Sequence, residues 1–163
     1  MAMQLASLKI NSPTGTLRLV ANNEGLCAIE WQHSDDNSEA HDPQSAESRH
    51  AILSRAAAQL AEYFEGKREQ FDLPLAACGT EFQKKVWAEL ALIPYGQTTT
   101  YGAMARAVGS PKGARAVGAA NRRNPLPIVV PCHRAIGTSG ALIGFAGGLP
   151  AKIALLAIEA KRE

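Results

Sequence analysis

The stretch TTYGAMARAVGSPKGARAVGAANRR, residues 99–123, contains two short helical patterns that meet at a Gly-Ser-Pro sequence. The first pattern predicts a helix over about residues 100–108, which Gly109 ends. Ser110-Pro111 is typical of an N-cap followed by proline in the first turn, so a second helix is predicted over about residues 112–122. Two short helices joined by a tight turn that contains glycine form a helix-turn-helix.

The second of these helices has few bulky side chains. Most of its residues are glycine or alanine, and each glycine weakens a helix by about 1 kcal/mol relative to alanine. One explanation is close packing against another helix. The other is close approach to a narrow groove of a ligand, with three projecting cations: Arg115, Arg122 and Arg123.

Upstream, the pattern changes from helical to alternating, which predicts an α+β protein. Residues 5–10, 16–21 and 26–31 are short segments typical of a β-meander. A polar, acidic loop follows over residues 33–49. Its histidines, together with His50, have no defensible metal-ligand spacing, so we expect a solvated loop and no metal. Residues 50–64 have a helical pattern, with Gly66 as the stop signal.

Thr80 opens the second half of the chain. Thr80 and Gln83 have the spacing of a capping box ahead of a run of apolar positions, which predicts a helix to about Pro94. We therefore expect an N-terminal domain over residues 1–79 and a mostly helical domain over residues 80–163.

Charge is unevenly distributed between these halves. Residues 1–79 hold six basic and eleven acidic side chains, whereas residues 80–163 hold eleven basic and four acidic ones. Between Glu89 and Glu159 there are seven Lys or Arg residues and no acid. Such a basic surface attracts a polyanion, most commonly nucleic acid. The alternative is a chance imbalance on a solvated surface.

Three cysteines, Cys27, Cys78 and Cys132, form an odd set without a close pair. This favours free thiols in a reducing compartment over a disulfide scaffold. The N-terminal residues lack the pattern of a secretory signal, and no apolar run approaches the roughly 20 residues that cross a bilayer. We therefore expect a cytoplasmic protein with no membrane contact.

The sequence NPLPIVVPCHR, residues 124–134, is the candidate for chemistry. Three prolines make it stiff, and the Ile-Val-Val run predicts a short buried strand. Cys132 follows, beside His133 and Arg134, and a neighbouring cation or base lowers the pKa of a thiol so that it becomes a nucleophile. The alternative is a buried structural cysteine.

Glu159 is the first acid after a gap of 69 residues, near the end of a helix predicted over about residues 150–162. Carboxylates are disfavoured at helix C-termini by the macrodipole, and such violations occur at functional sites. We expect Glu159 to hydrogen-bond His133 and fix its tautomer. Because Cys132 and His133 are adjacent in an extended segment, a bridging water would relay the proton. The alternative is a carboxylate that Lys161, Arg162 or water solvates.

These motifs together resemble the O6-alkylguanine-DNA alkyltransferases. The resemblance runs from about Thr80 to Glu159 through GTEFQKKVW, IPYGQTTTYG, ARAVGAANRRNP, PCHR, GFAGG and LLAIE. It implies a small N-terminal ribonuclease-H-like domain and a helix-turn-helix, winged-helix-like alkyltransferase domain. It also implies irreversible, stoichiometric transfer of an alkyl group from O6-alkylguanine in DNA to the protein, with O4-alkylthymine as a second candidate substrate.

The resemblance implies roles for individual residues. Cys132 is similar to the alkyl acceptor, His133 to the base that acts through water, and Glu159 to the acid that orients this base. Tyr101 matches a tyrosine that crowds the backbone phosphate and bonds the extruded base. Arg115 matches an arginine that enters the vacated stack.

Further residues are placed by the same resemblance. Asn124 matches an asparagine that bridges the recognition helix to the active-site segment. The base pocket would include Ala135, Phe145 and Ala146, where Phe145 replaces a tyrosine and Ala146 a serine of some relatives. The implied partner is double-stranded DNA, bound through its minor groove by a monomer without a cofactor.

Two other classes fit part of the pattern. A cysteine hydrolase or acyltransferase would use Cys132, His133 and Glu159 as a triad, but leaves the acid-free basic half unexplained. A sensor that binds the DNA lesion without chemistry would lack the acceptor cysteine, which is present here.

Overall fold

The computed structural model describes residues 5–32, 50–137 and 147–160. The chain forms two compact units, Met1–Cys78 and Gly79–Glu163. None of the helices in these described ranges is long and apolar enough to cross a membrane.

The first unit contains a three-stranded antiparallel meander, as the alternating segments predict. Its strands pair in the order β1 Ala6–Ile10, β2 Leu17–Ala21 and β3 Leu26–Trp31. Between β2 and β3, the side-chain oxygen of Asn22 accepts hydrogen bonds from the backbone N–H groups of Glu24 at 2.8 Å and Gly25 at 3.0 Å. The side-chain oxygen of Asn22 closes this turn by taking the place of a backbone acceptor, which is why asparagine is common in turns.

One helix, α1 Ala51–Phe64, packs on this sheet, which confirms the predicted helix. Its periodic apolar residues meet the inward side chains of the strands, and all are fully buried: Leu17, Leu19, Leu53, Leu60 and Tyr63. Gly66 follows the helix with φ 76°, a conformation that glycine adopts readily.

The second unit is mostly helical. It comprises the helices α2 Glu81–Ala91, α3 Tyr101–Ala107, α4 Ala114–Arg122 and α5 Leu149–Ala160, a 3₁₀ turn at Cys132–Arg134, and a parallel pair of short strands, β4 Thr99–Thr100 and β5 Ala135–Ile136. The α+β class, with a helix-turn-helix in α3 and α4, is therefore confirmed.

The predicted capping box begins α2. The backbone N–H of Gln83 donates to the hydroxyl oxygen of Thr80 at 3.1 Å, and the side chain of Gln83 accepts from the backbone of Thr80 at 3.0 Å. From α2, the indole of Trp87 donates to the carbonyl of Ala120 at 2.9 Å and so ties α2 to α4.

The predicted start of α4 is wrong by about two residues. Gly113, not Ser110, is the N-cap, and the helix begins at Ala114. The N–H of Gly113 donates to the carbonyl of Ser110 at 2.7 Å, which closes a turn through Pro111. A Cβ at Gly113 would lie 2.5 Å from the hydroxyl and 3.0 Å from the carbonyl oxygen of Ser110, so a larger residue would require Ser110 to shift.

Candidate functional site around Cys132

The segment before Cys132 is a compact turn, so the predicted strand over residues 128–130 is wrong. Asn124 organises it: its Nδ2 donates to the carbonyl of Val130 at 2.8 Å, and its Oδ1 accepts from the N–H of Leu126 at 3.0 Å. Ile128 is 1% exposed and has φ 76°, which is strained for a β-branched residue. Proline lacks the backbone N–H that pairs one strand with the next. In this segment the side-chain amide of Asn124 bonds to backbone groups instead.

Cys132 begins a 3₁₀ turn rather than an extended segment, which corrects a second expectation. Its N–H donates to the carbonyl of Val130 at 2.7 Å, and that of Arg134 donates to the carbonyl of Pro131 at 3.0 Å. With three residues per turn, neighbouring side chains point in different directions. The side chains of Cys132 and His133 therefore do not face each other. The cause is the 3₁₀ turn and not the extended backbone that was expected.

The Cys132 thiol is 2% exposed. Burial raises the pKa of this thiol to about 11, while a hydrogen bond from Asn124 and the charge of Lys152 oppose the rise. The expectation that neighbouring charge lowers the pKa of Cys132 is thus wrong in its net direction, because desolvation is the larger effect. In the free protein the sulfur is a neutral thiol.

His133 and Glu159 form a buried pair. Nε2 of His133 lies 2.6 Å from Oε2 of Glu159. Because a carboxylate accepts, Nε2 carries the proton, and Nδ1 is left as an acceptor. Within the described part of the chain, Nδ1 is buried without a hydrogen-bond partner. Burial lowers the pKa of His133, although the carboxylate of Glu159 opposes this, so the imidazole is neutral at pH 7.

Glu159 is 2% exposed, so it is not a solvated carboxylate at the helix end. Arg134 donates to it twice, from Nε to Oε1 at 2.8 Å and from Nη2 to Oε2 at 3.0 Å. The guanidinium also donates to the carbonyl of Ile93 at 2.6 Å and lies 5.6 Å from the ring centre of Tyr95. The side chain that sequence reasoning treated as a cation for Cys132 therefore neutralises Glu159.

Lys152 is a cation whose charge acts on the Cys132 thiol. It is fully buried on α5, and its Nζ donates to the carbonyl of Ala135 at 2.7 Å. The ammonium also lies 5.9 Å from the ring centre of Tyr101. Its positive charge favours the thiolate form of Cys132. Ala135, a predicted pocket residue, lies in β5 and is fully buried, with its carbonyl bonded to Lys152.

Tyr101 and Asn121 lie on the side of Cys132 formed by α3 and α4. Nδ2 of Asn121 is 3.5 Å from the hydroxyl of Tyr101 and 3.4 Å from the carbonyl oxygen of Cys132. Burial and the adjacent Cys132 raise the pKa of Tyr101, and the charge of Arg122 partly opposes this. The phenol therefore keeps its proton and can act as a donor.

Arg115 is placed elsewhere, on the exposed face of α4 with Arg122 and Arg123. The opposite face is buried and includes Val117 and Asn121. At Gly118 an added Cβ would meet nothing within 4 Å, so packing in the described structure does not require glycine there. Two further predicted pocket residues, Phe145 and Ala146, lie outside the described residues, as does the loop over residues 33–49.

Two family models cover nearly the whole chain. Residues 81–161 match the DNA-binding domain of 6-O-methylguanine DNA methyltransferase, and residues 7–77 match its ribonuclease-like domain. The chain belongs to the 6-O-methylguanine DNA methyltransferase family. The resemblance that the motifs carry, including its ribonuclease-like N-terminal half, is therefore confirmed.

Individual members of the methyltransferase family match this chain over most of their length. The chain is 46% identical over 148 residues to the methylated-DNA–protein-cysteine methyltransferase of Methanosarcina acetivorans, covering 91% of this chain and 94% of that protein. It is similar to the crystal structure of Mycobacterium tuberculosis O6-methylguanine methyltransferase, with a TM-score of 0.84, 40% identity, and coverage of 98% and 95% of the two chains. The M. tuberculosis protein OGT in complex with DNA gives a TM-score of 0.81 at 43% identity, with coverage of 94% and 92%.

In this family member, sequence reasoning missed Lys152 and Asn121. A signal existed for Lys152: it precedes Glu159 by seven residues, which places both on one face of a helix whose other residues are largely apolar. Asn121 ends the Gly/Ala-rich stretch of α4, three residues before Asn124. Nothing in the pattern distinguished it from a polar residue at a helix end.

Proposed function

We propose that this protein repairs DNA by moving an alkyl group from O6 of guanine to Sγ of Cys132, once and irreversibly. The observation that carries the proposal is the buried Cys132 backed by the His133–Glu159 pair. Membership of the 6-O-methylguanine DNA methyltransferase family supports this assignment. A buried thiol with a high pKa needs a base at the moment of reaction, and this pair supplies one.

The proposed transfer step uses Cys132, His133 and Glu159 together. The thiol proton passes through a water to Nδ1 of His133, while Glu159 holds Nε2 and stabilises the resulting imidazolium. The sulfur forms a bond to the alkyl carbon as the bond from that carbon to O6 breaks. The electron pair stays on guanine, which takes up one proton as His133 gives up its extra proton and becomes neutral again. Overall, the thiol proton replaces the alkyl group on guanine, and the thioether on Cys132 is not reversed by thiol exchange.

Tyr101 and Asn124 complete the proposed site. The Tyr101 hydroxyl, kept protonated by its raised pKa, donates to the extruded base. Asn124 holds the turn that presents Cys132 to α4. Three further residues would line the base pocket: Ala135, Phe145 and Ala146.

DNA binding is assigned to the exposed face of α4, whose small residues suit the minor groove, only about 6 Å wide. Arg115 would enter the stack that the nucleotide leaves, and so offset part of the few kcal/mol that extrusion costs. The exposed cations Arg122 and Arg123 would contact phosphates.

The two halves of the chain receive separate roles. Residues 80–163 would bind DNA and perform the transfer, and residues 1–79 would be structural. We propose a monomer that acts in the cytoplasm, consistent with three free cysteines.

Intact mass after incubation with duplex DNA containing O6-methylguanine tests the proposal. We expect one methyl group per protein, located on the Cys132 peptide, and no further gain with excess DNA. Cys132→Ala should bind the DNA without gaining mass, and Cys78→Ala, which alters an exposed cysteine, should match wild type. Sustained multiple turnover would contradict the mechanism. An unchanged mass with binding would indicate a sensor.

A further inference from the structure

A turn over residues 93–97, between α2 and β4, contacts both partners of the Arg134–Glu159 ion pair. The carbonyl of Ile93 accepts from Nη1 of Arg134 at 2.6 Å. Three residues further on, the backbone N–H of Gly96 donates to Oε1 of Glu159 at 3.3 Å. One turn therefore holds the cation through an acceptor and the anion through a donor.

The backbone conformation of this turn depends on Gly96. The N–H of Gln97 donates to the carbonyl of Pro94 at 3.1 Å and so closes residues 94–97 into a turn. Gly96, the third of these four residues, has φ 79°, which glycine adopts readily and asparagine tolerates. A Cβ at Gly96 would lie 3.6 Å from the carbonyl oxygen of Glu159, which is an ordinary contact. A substitution at Gly96 therefore acts through the backbone angle and not through a clash.

The 93–97 turn gives the Glu159 carboxylate an attachment that is separate from the Cys132–Arg134 turn. His133 and Arg134 are adjacent, so their bonds to Glu159 come from one 3₁₀ turn. A movement of that turn would displace both bonds together. Residues 93–97 follow α2 instead, so their bonds fix the ion pair relative to a different helix.

We propose that Gly96 is a positioning residue for alkyl transfer. Together with Ile93, it orients the Arg134–Glu159 pair so that the carboxylate accepts from Nε2 of His133. Nδ1 of His133 is then left as the acceptor that the thiol proton needs. The use of Nδ1 in the transfer rests on the proposed function, whereas the tautomer can be measured without DNA.

Nitrogen NMR shifts of the His133 imidazole distinguish a protonated from an unprotonated ring nitrogen and so report the tautomer. In DNA-free wild type the proton should reside on Nε2. Gly96→Ala should place a measurable fraction of it on Nδ1. Single-turnover transfer should slow by about tenfold, the size of one hydrogen bond to a charged group. Gly96→Asn, which keeps the N–H and tolerates a positive φ, should restore the tautomer and the rate.

Gly109 supplies the matched control for backbone strain. It has the same φ of 79° in the same unit, and a Cβ there would meet nothing within 4 Å. Gly109→Ala should therefore lose stability in urea unfolding as Gly96→Ala does, but should keep the His133 tautomer of wild type. If the tautomer changed in both variants, or in neither, Gly96 would only form a turn and the proposal would be overturned.

A measurement on wild type alone also tests the contact. The amide proton of Gly96 should be protected from exchange with solvent, because it is bonded to a buried carboxylate. Rapid exchange at Gly96 would overturn the proposal, and this result does not depend on any variant folding. If Gly96 were protected but wild type took no methyl group from O6-methylguanine, the proposed function would fail instead.

Discussion

Arg134 and Glu159 form a two-point ion pair in the interior of the second unit, with Nε 2.8 Å from Oε1 and Nη2 3.0 Å from Oε2. This pair leaves Oε2 of Glu159 able to accept also from His133, at 2.6 Å. Glu159 is thereby held as an anion in one orientation. The histidine tautomer in turn depends on that anion.

Glu159→Gln should therefore slow alkyl transfer by about 100-fold, since an amide does not stabilise the protonated His133. The free energy of unfolding should fall by about 3 kcal/mol, because Arg134 would lose its buried counterion. Transfer is measured by single-turnover kinetics and stability by urea unfolding. DNA affinity should be unchanged, and Glu24→Gln, at an exposed site, serves as the control. Wild-type transfer rates in Glu159→Gln would show that Glu159 only stabilises the fold.

The pH profile of transfer tests the relay through His133. Burial lowers the pKa of His133, so Nδ1 stays free to accept a proton at pH values below the ordinary histidine pKa of about 6.5. The rate should be flat around neutral pH and should fall only on the acid side, where the imidazole becomes protonated. Rates are measured with saturating duplex between about pH 5 and pH 9. A tenfold rise per pH unit above neutrality would mean that a preformed thiolate reacts without the relay.

Lys152→Met should make Cys132 less reactive. The ammonium opposes the effect of burial, so its removal should raise the pKa of the thiol further. We expect transfer to slow by about tenfold, corresponding to one pKa unit. Alkylation of Cys132 by iodoacetamide, which needs no DNA, should slow in parallel. Lys84→Met, a charge loss at an exposed position of α2, is the matched control. If Lys84→Met slowed transfer as much as Lys152→Met, the loss of net charge, and not the position of Lys152, would explain the effect.

Arg115→Ala should lose more repair of duplex DNA than of the free alkylated base, which needs no extrusion. Arg115→Lys should also be poor, because a flexible ammonium does not reproduce a planar, stacking guanidinium. Duplex repair rates are compared at two salt concentrations. Near-wild-type rates for Arg115→Lys, with losses in Arg115→Ala that shrink at low salt, would make Arg115 a phosphate contact.

Local signals in the sequence predicted most of the fold. The capping box at Thr80, the meander and the stop at Gly66 each depend on residues a few positions apart. The residues that interact are therefore visible together in the sequence. The strand prediction over residues 128–130 failed because this backbone bonds locally: the N–H of Val130 donates to the carbonyl of Leu126, and the carbonyl of Val130 accepts from Nδ2 of Asn124. The apolar residues 128–130 indicated a buried segment, but apolar content alone does not determine whether such a segment is a strand.

For the site, the sequence indicated which side chains take part more reliably than which residues those side chains contact. Adjacency suggested that Arg134 serves Cys132, yet its side chain crosses to α5, 25 residues away in sequence. The net effect on the Cys132 thiol could not be predicted either, since it depends on how fully the folded chain excludes water.

The raised pKa of Cys132 has a consequence for how long each copy of the protein remains usable. At neutral pH only about one thiol in ten thousand is ionised when its pKa is near 11. Peroxides attack accessible thiolates, so the resting sulfur is a poor target for oxidation, whereas Cys78 is exposed. A protein that each lesion inactivates cannot recover an acceptor lost to an oxidant. The same burial, which in the proposed mechanism makes the reaction depend on His133, thus protects unreacted molecules until a damaged base arrives.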